Sequence, residues 1–481
     1  MPSLSATDLF YITPEAIVLF FAMSVLIMDI FTEKENKRYL GYFSLVGLVV
    51  ASVYLWQMRG LNNVSFYGMF VLDNYAIYFK TLFFIAAALA ILISINYIKI
   101  EDINLGEYYS LVLFATTGMM IMASGADLIS IYLGLELMAM SLYILAGFMR
   151  NRLKSNEAAL KYFLLGAFSS GILLYGISIM YGVTGTTNLR DIAAFISTGQ
   201  FSRPALVLSM ILMTAGFGFK VAAVPFHMWT PDVYEGSPTS VTAFMSVGPK
   251  AAGFAAFLRV FNEALPAIQP DWTVIICALA IMSMLIGNVV AISQTNIKRM
   301  LAYSSIAHAG YAMVGFVAGG EQGISSVMLY LFIYTFMNVG AFGVVIMLRK
   351  GGMVGEDIQD LAGLGKKNRL AALLMLIFMF SLAGIPPTAG FIGKFYIFMA
   401  ALNSGFLWLA IIAVMMSAIS AYFYLRIIMV MYMSEPKGDF DLATSPSMSL
   451  AMLAAVAAVL YIGMNPAGLI SFARDSIVGM L

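Results

Sequence analysis

Runs of about twenty apolar residues recur from end to end of this 481-residue chain, with only short connections between them. That length carries an α-helix across the hydrocarbon of a bilayer, and a backbone entering that medium must satisfy its own polar groups. The runs therefore specify an all-α integral membrane protein. About fourteen transmembrane helices are expected, near 13–31, 38–57, 73–98, 107–124, 127–149, 157–182, 204–225, 238–262, 272–291, 299–318, 322–348, 369–402 (interrupted), 405–433 and 446–464. The longest connections, near 58–72, 183–203 and 349–368, are too short to bury a core of their own. Composition agrees: 11% of residues are charged, against about a quarter in soluble proteins. Asp8 and Glu15 lie where a signal peptide would be basic, so the first run reads as a retained helix.

The 26 Lys plus Arg nearly balance the 25 Asp plus Glu, which gives no reason to expect nucleic acid as a partner. A single cysteine, Cys277, excludes an internal disulfide, an iron–sulfur cluster and a c-type haem attachment on this chain. Where the positive charges fall sets an orientation. With the N-terminus outside, the inner loops and span ends hold Lys34, Lys37, Arg38, Lys99, Arg150, Arg152, Lys154, Lys298, Arg299, Arg349, Lys350, Lys366, Lys367, Arg369 and Lys437. The outer loops hold only Arg59, Arg190, Arg203 and Arg474. Both termini are therefore expected on the outer face, after an even number of spans.

Lys80, Lys161, Lys220, Lys250, Arg259, Lys394 and Arg426 remain inside or at the edges of spans. Arg259 and Arg426 are close enough to helix ends to snorkel, as are Lys161 and, with strain, Lys80. Glu136, Lys220, Lys250 and Lys394 are harder to dismiss. An ionisable group near the bilayer centre costs at least about 2.5–3.5 kcal/mol and usually lines a pathway or pairs with another. Lys220 stands five residues before Pro225, and Lys394 eight after Pro386. Proline removes a backbone donor and breaks a helix, and such a break is tolerated at membrane depth only inside protein or along a water-filled cavity.

The two breaks resemble each other, Ala222-Ala223-Val224-Pro225-Phe226 against Ala383-Gly384-Ile385-Pro386-Pro387, and lie five spans apart. An odd separation reverses the direction of the second helix, as in an inverted-topology repeat with a midplane site. The expected organisation is an N-terminal three-helix segment (1–106), a five-helix repeat (107–262), a second (263–434, its helices at about 272–433), and a C-terminal helix and tail (435–481).

The stretch Gln294–Tyr311, QTNIKRMLAYSSIAHAGY, closely resembles the signature of the antiporter-like membrane subunits of respiratory complex I, NADH:quinone oxidoreductase. So do Lys220–Gly236, KVAAVPFHMWTPDVYEG, the LGLELMAMSLY run around Glu136 and the GIPPTAGFIGK run ending at Lys394. Only one span follows residue 434, leaving no room for the lateral helix of the L-type subunit. Lys394 stands where the M-type usually has glutamate, so the likeness is greatest to the N-type. The resemblance implies a fourteen-helix proton channel of the bacterial cytoplasmic (inner) membrane, seated beside other membrane subunits of complex I. It implies no cofactor on this chain, with NADH, FMN, iron–sulfur clusters and quinone on partner subunits. Residue by residue it implies relay roles for Glu136, Lys220, Lys250 and Lys394, and less firmly for Lys161, His227 and His308.

In such a relay a carboxylate switches the proton-holding of a buried amine. The expectation is that Glu136 lies within direct or one-water contact of Lys220. A lateral order Glu136, Lys220, Lys250, Lys394 follows, with uptake from the cytoplasm and release outside. A subunit of a multi-subunit sodium/proton antiporter would share the helical core. An organic-solute transporter would need more varied polar ligands, and a structural subunit would not need the charges.

Overall fold

The computed structural model describes residues 6–350, 353–436 and 441–478. Its long helices are α1 (Thr13–Phe31), α2 (Arg38–Gln57), α3 (Asn74–Ile100), α4 (Glu107–Ser124), α5 (Leu128–Ala146), α6 (Leu153–Thr184), α7 (Arg203–Val221) and α8 (Thr239–Arg259). There follow α9 (Gln269–Ser293), α10 (Ile297–Ala318), α11 (Gly320–Met347), α12 (Arg369–Ala383), α13 (Ala389–Asn403), α14 (Leu407–Met433) and α15 (Pro446–Met464). Among the described residues, twelve helical stretches are long and apolar enough to cross a membrane. The protein is a multi-pass, all-α membrane protein. The 18-residue α4, which opens on Glu107, Tyr108 and Tyr109, falls outside that set, as do the 15-residue halves α12 and α13.

The connections carry small elements that the sequence reading passed over. β1 (Asn63–Ser65) pairs antiparallel with β2 (Phe70–Leu72). The short helix Leu189–Ser197 buries Leu189, Ile192 and Ile196 along one side. β3 (Leu348–Lys350) pairs with β4 (Met353–Val354) and with β5 (Asp441–Leu442). Strands of two or three residues are below the length at which alternation can be read.

Ion pairs between different loops and helix ends join segments expected on the same face. On the side expected to be inner these include Lys34–Asp102, Arg152–Glu101, Lys154–Glu235 and Lys298–Glu356, with Arg349 also on Glu101. On the outer side they are Arg203–Asp271 and Arg474–Glu321. The hydrogen bond from Lys34 holds the Asp102 carboxyl below the usual carboxylate range. Lys437 and the Lys350 side chain lie outside the described residues.

Arg259 does not snorkel. It is fully buried, with both Asp73 oxygens 2.9 Å from Nη2, Glu263 2.6 Å from Nη1 and the Ala123 carbonyl 3.0 Å from Nε. Arg426 turns inward to give Nη1 and Nη2 to the Ile292 and Gln294 carbonyls at 2.7 and 2.6 Å, closing the C-terminal end of α9. Lys80 likewise stays inside, 2.6 Å from Glu15 in a pair with almost no exposure. Glu263 apart, these partners lie far away in sequence, so position along the helix alone could not reveal them.

One backbone arrangement occurs twice. Asp127 caps α5 and bridges to Asn188, with Leu128 N–H on Thr187 O at 2.9 Å and Leu189 N–H on Ala126 O at 3.0 Å. Asn296 caps α10 and bridges to Asp357, with Ile297 N–H on Glu356 O and Ile358 N–H on Thr295 O, both at 2.8 Å. The following helices α6 and α11 separate each capping residue from its bridge partner.

Candidate functional site

Both breaks end a helix in the left-handed region and close it the same way. At the first, Ala222 has φ +61° and Ala223 N–H reaches back to Gly218 O; at the second, Gly384 has φ +87° and Ile385 N–H reaches Phe380 O. These bonds satisfy carbonyls that a helix end leaves free. They also align Ala222 with Gly384, one residue away from the register read off the sequence. The cis bonds Val224–Pro225 and Pro386–Pro387 then coincide. The Phe219 carbonyl accepts from both Ala222 N–H and the Trp229 indole, each at 3.1 Å. The freed Ala383 carbonyl accepts from Lys394 Nζ at 2.9 Å.

Lys220 is buried, and among the described residues its ammonium nitrogen has no hydrogen-bond partner; it lies 5.8 Å from the ring centres of Tyr143 and Phe219. Glu136 is on α5, two turns before Tyr143, and its Oε1 is buried without a partner. No hydrogen bond or ion pair joins Glu136 directly to Lys220, so of the direct or one-water contact expected the direct one is not formed. The reason is placement: Glu136 is only half-buried, on the side of α5 that exposes Leu133 and Met140. Lys220 instead packs inward beside α8 at Gly253, where an added Cβ would lie 3.0 Å from Val221 Cγ1.

Lys250 Nζ donates to the Ser305 carbonyl at 2.8 Å and to the Ser305 hydroxyl at 2.5 Å. One turn further along α10, His308 Nδ1 is 2.5 Å from the Tyr330 hydroxyl and Nε2 is 3.0 Å from that of Tyr424, which in turn meets Ser304 Oγ at 2.5 Å. A neutral imidazole donates from one nitrogen and accepts at the other, so moving its proton reverses the whole string. Lys394 Nζ also donates to Ser417 Oγ at 2.9 Å and faces the Tyr311 ring at 4.9 Å. Thus α10 supplies groups to both lysines, Ser305 to Lys250 and Tyr311 to Lys394, with His308 between them in sequence. All these side chains but Ser417 are buried among the described residues.

His227 follows the first break, buried, with Nδ1 unpartnered. Lys161 sits elsewhere. Its side chain is 41% exposed and held by Glu157 at 2.6 Å and Asp232 at 3.0 Å, so it is a surface group, on the side expected to be inner. Sequence reading missed Ser304, Ser305, Tyr311, Tyr330, Tyr424 and Ser417. The serine pair lies inside the YSSIAH motif and could have been noticed; the contacts from α11 and α14 could not.

Residues 125–420 match the family described as NADH:quinone oxidoreductase/Mrp antiporter, TM, and residues 3–96 match NAD(P)H-quinone oxidoreductase subunit 2 N-terminal. The chain is 51% identical to NADH-quinone oxidoreductase subunit N of Trichlorobacter lovleyi, covering 97% of this chain and 96% of the relative. It belongs to the subunit N family. A second relative, NADH-quinone oxidoreductase subunit N 2 of Rhizobium meliloti, is also 51% identical, with 97% of each chain covered. Among solved structures, a chain of respiratory complex I from Thermus thermophilus with bound aureothin superposes with a TM-score of 0.81 at 32% identity, covering 96% of this chain and 99% of that one. The Mrp complex of Dietzia sp. shares the fold, with a TM-score of 0.82 at 20% identity over 98% of this chain and 97% of that one. In this subunit N family member, Glu136, Lys220, Lys250, His308 and Lys394 all fall within the 125–420 match, whereas the Glu15–Lys80 pair falls within the N-terminal one.

Proposed function

We propose that the chain is a proton-translocating, antiporter-like membrane subunit of an NADH:quinone oxidoreductase, moving protons through its interior while the redox chemistry proceeds on partner subunits. NADH, FMN, iron–sulfur clusters and quinone belong to those partners in this reading, and this chain is a non-redox part of the translocase. In this reading the chain crosses a bacterial cytoplasmic membrane fourteen times, with both termini outside. The twice-used bridge and the paired breaks support two inverted five-helix repeats, α4–α8 and α9–α14, with α7 and α12–α13 as the discontinuous helices.

The observation that carries the reading is the set of buried polar groups gathered on and around α10: Ser305 on Lys250, the hydrogen-bonded string Ser304–Tyr424–His308–Tyr330 one turn on, and Tyr311, whose ring faces Lys394. Protons enter from the cytoplasmic side and pass Lys220 and Lys250. They continue through the His308 string to Lys394 and leave outside. Glu136 acts on Lys220 through its charge, without contact. A carboxylate on an exposed apolar helix face is costly in lipid, so the α5 face of Glu136 is where a neighbouring membrane subunit packs. The test is Lys250→Met in the purified complex reconstituted into vesicles. Protons moved per NADH fall while uncoupled NADH oxidation persists; an unchanged ratio overturns the reading.

A further inference from the structure

α8 has two unlike halves, divided at Lys250. Toward the cytoplasmic end a hydroxyl recurs at nearly every turn. Ser240 meets the Tyr108 hydroxyl at 2.8 Å, Thr242 donates to Tyr234 O at 2.9 Å, and Ser246 accepts from Asn338 at 2.6 Å. Toward the outer end the eight residues Ala251–Leu258 contain no polar side chain, and all are buried. At 1.5 Å per residue they put about 12 Å of apolar helix between Lys250 and Arg259.

That outer half is packed into an aromatic cluster. Phe217, one turn outward from Lys220 on α7, stacks on Phe257 with centroids 5.4 Å apart. Phe257 meets Phe261 at 4.7 Å and Phe316 of α10 at 4.9 Å, and Trp272 of α9 lies 5.4 Å from Phe316. All five rings are at most 1% exposed, and the only polar atom among them, the Trp272 indole nitrogen, is committed to Leu265 O at 3.1 Å. Arg259 turns away from the rings toward Asp73, Glu263 and Ala123. A proton moves through protein along hydrogen-bonding groups or water, and a tightly packed apolar constriction excludes both.

We propose that Phe217, Phe257, Phe261, Trp272 and Phe316 form the insulating seal that prevents protons held at Lys220 and Lys250 from escaping straight to the outer face. Sideways transfer through α10 is then the open route. This rests on the transport role and orientation given above, and it assigns those rings a task no charged residue performs.

The test is passive proton leak through the resting complex in vesicles, with no NADH, after a pH step is imposed across the membrane. Phe257→Ser, which puts a hydroxyl and free volume into the seal, raises the leak several-fold. Phe257→Leu, smaller but apolar, stays as tight as the parent. Adding Lys250→Ala to Phe257→Ser returns the leak toward the parent value, which a merely loosened bundle does not do. Phe316→Thr repeats the test from α10 should Phe257→Ser fail to assemble. A Phe257→Ser complex as tight as the parent, a Phe257→Leu complex equally leaky, or a leak indifferent to Lys250→Ala each overturns the seal. Loss or retention of pumping in Lys250→Met, read during turnover, judges the transport role separately.

Discussion

At the residue scale, the interior separates charges fixed by partners from charges free to change. Arg259 has four named acceptor contacts and two carboxylates. Arg259→Ala leaves Asp73 and Glu263 uncompensated, and loss of one partner from a buried pair costs about 3–5 kcal/mol. The expected result is a marked fall in thermal stability or in assembled subunit; parent-like stability contradicts the account of this cluster. Glu136 and Lys220 are the opposite case, each with a buried atom lacking any hydrogen bond. Glu136→Gln keeps the shape and removes the charge, so the complex assembles and its proton yield per NADH falls; a parental yield makes Glu136 a structural polar residue. The sequence reveals which charges are buried, because a lysine such as Lys250 in mid-span has nowhere else to go. It cannot reveal pairing: Asp73 is 186 residues from Arg259, and Glu136 makes no direct hydrogen bond to Lys220.

At the element scale, apolar run length marks long helices well, and α1 and α2 begin and end where the runs do. The breaks were legible through proline, yet the register between them shifted by one residue, because the equivalence is set by Ala222 and Gly384 in left-handed backbone and not by the prolines alone. The proposed repeat also makes the caps equivalent. Asp127→Ala and Asn296→Ala each remove a side-chain acceptor from a helix start, and each should cost about 1 kcal/mol. Similar losses in the unfolding midpoint are expected, and a large loss from one with none from the other contradicts their equivalence. Gly390 has a stricter role. A Cβ there would lie 1.7 Å from Ser381 O on the preceding half-helix, so Gly390→Ala should prevent α12 and α13 from folding back on each other. The readout is subunit incorporated into the membrane, and normal incorporation contradicts the close approach.

At the scale of the whole molecule, the proposed route follows the side of the bundle where buried polar groups are gathered and avoids the side where they are absent. The outer half of α8 is apolar and ring-packed, whereas the face of α10 offers Ser305, His308 and Tyr311 in succession. Lys394 stands at the far end of that face, on the freed Ala383 carbonyl and Ser417. The most direct test is the number of protons translocated per NADH by vesicles bearing the Lys394→Arg complex. Arginine keeps the positive charge and the donors but does not release its proton in proteins. The account predicts a lower proton yield at undiminished uncoupled NADH oxidation; a yield equal to the parent's would show that Lys394 works as a fixed charge and that no proton passes through it.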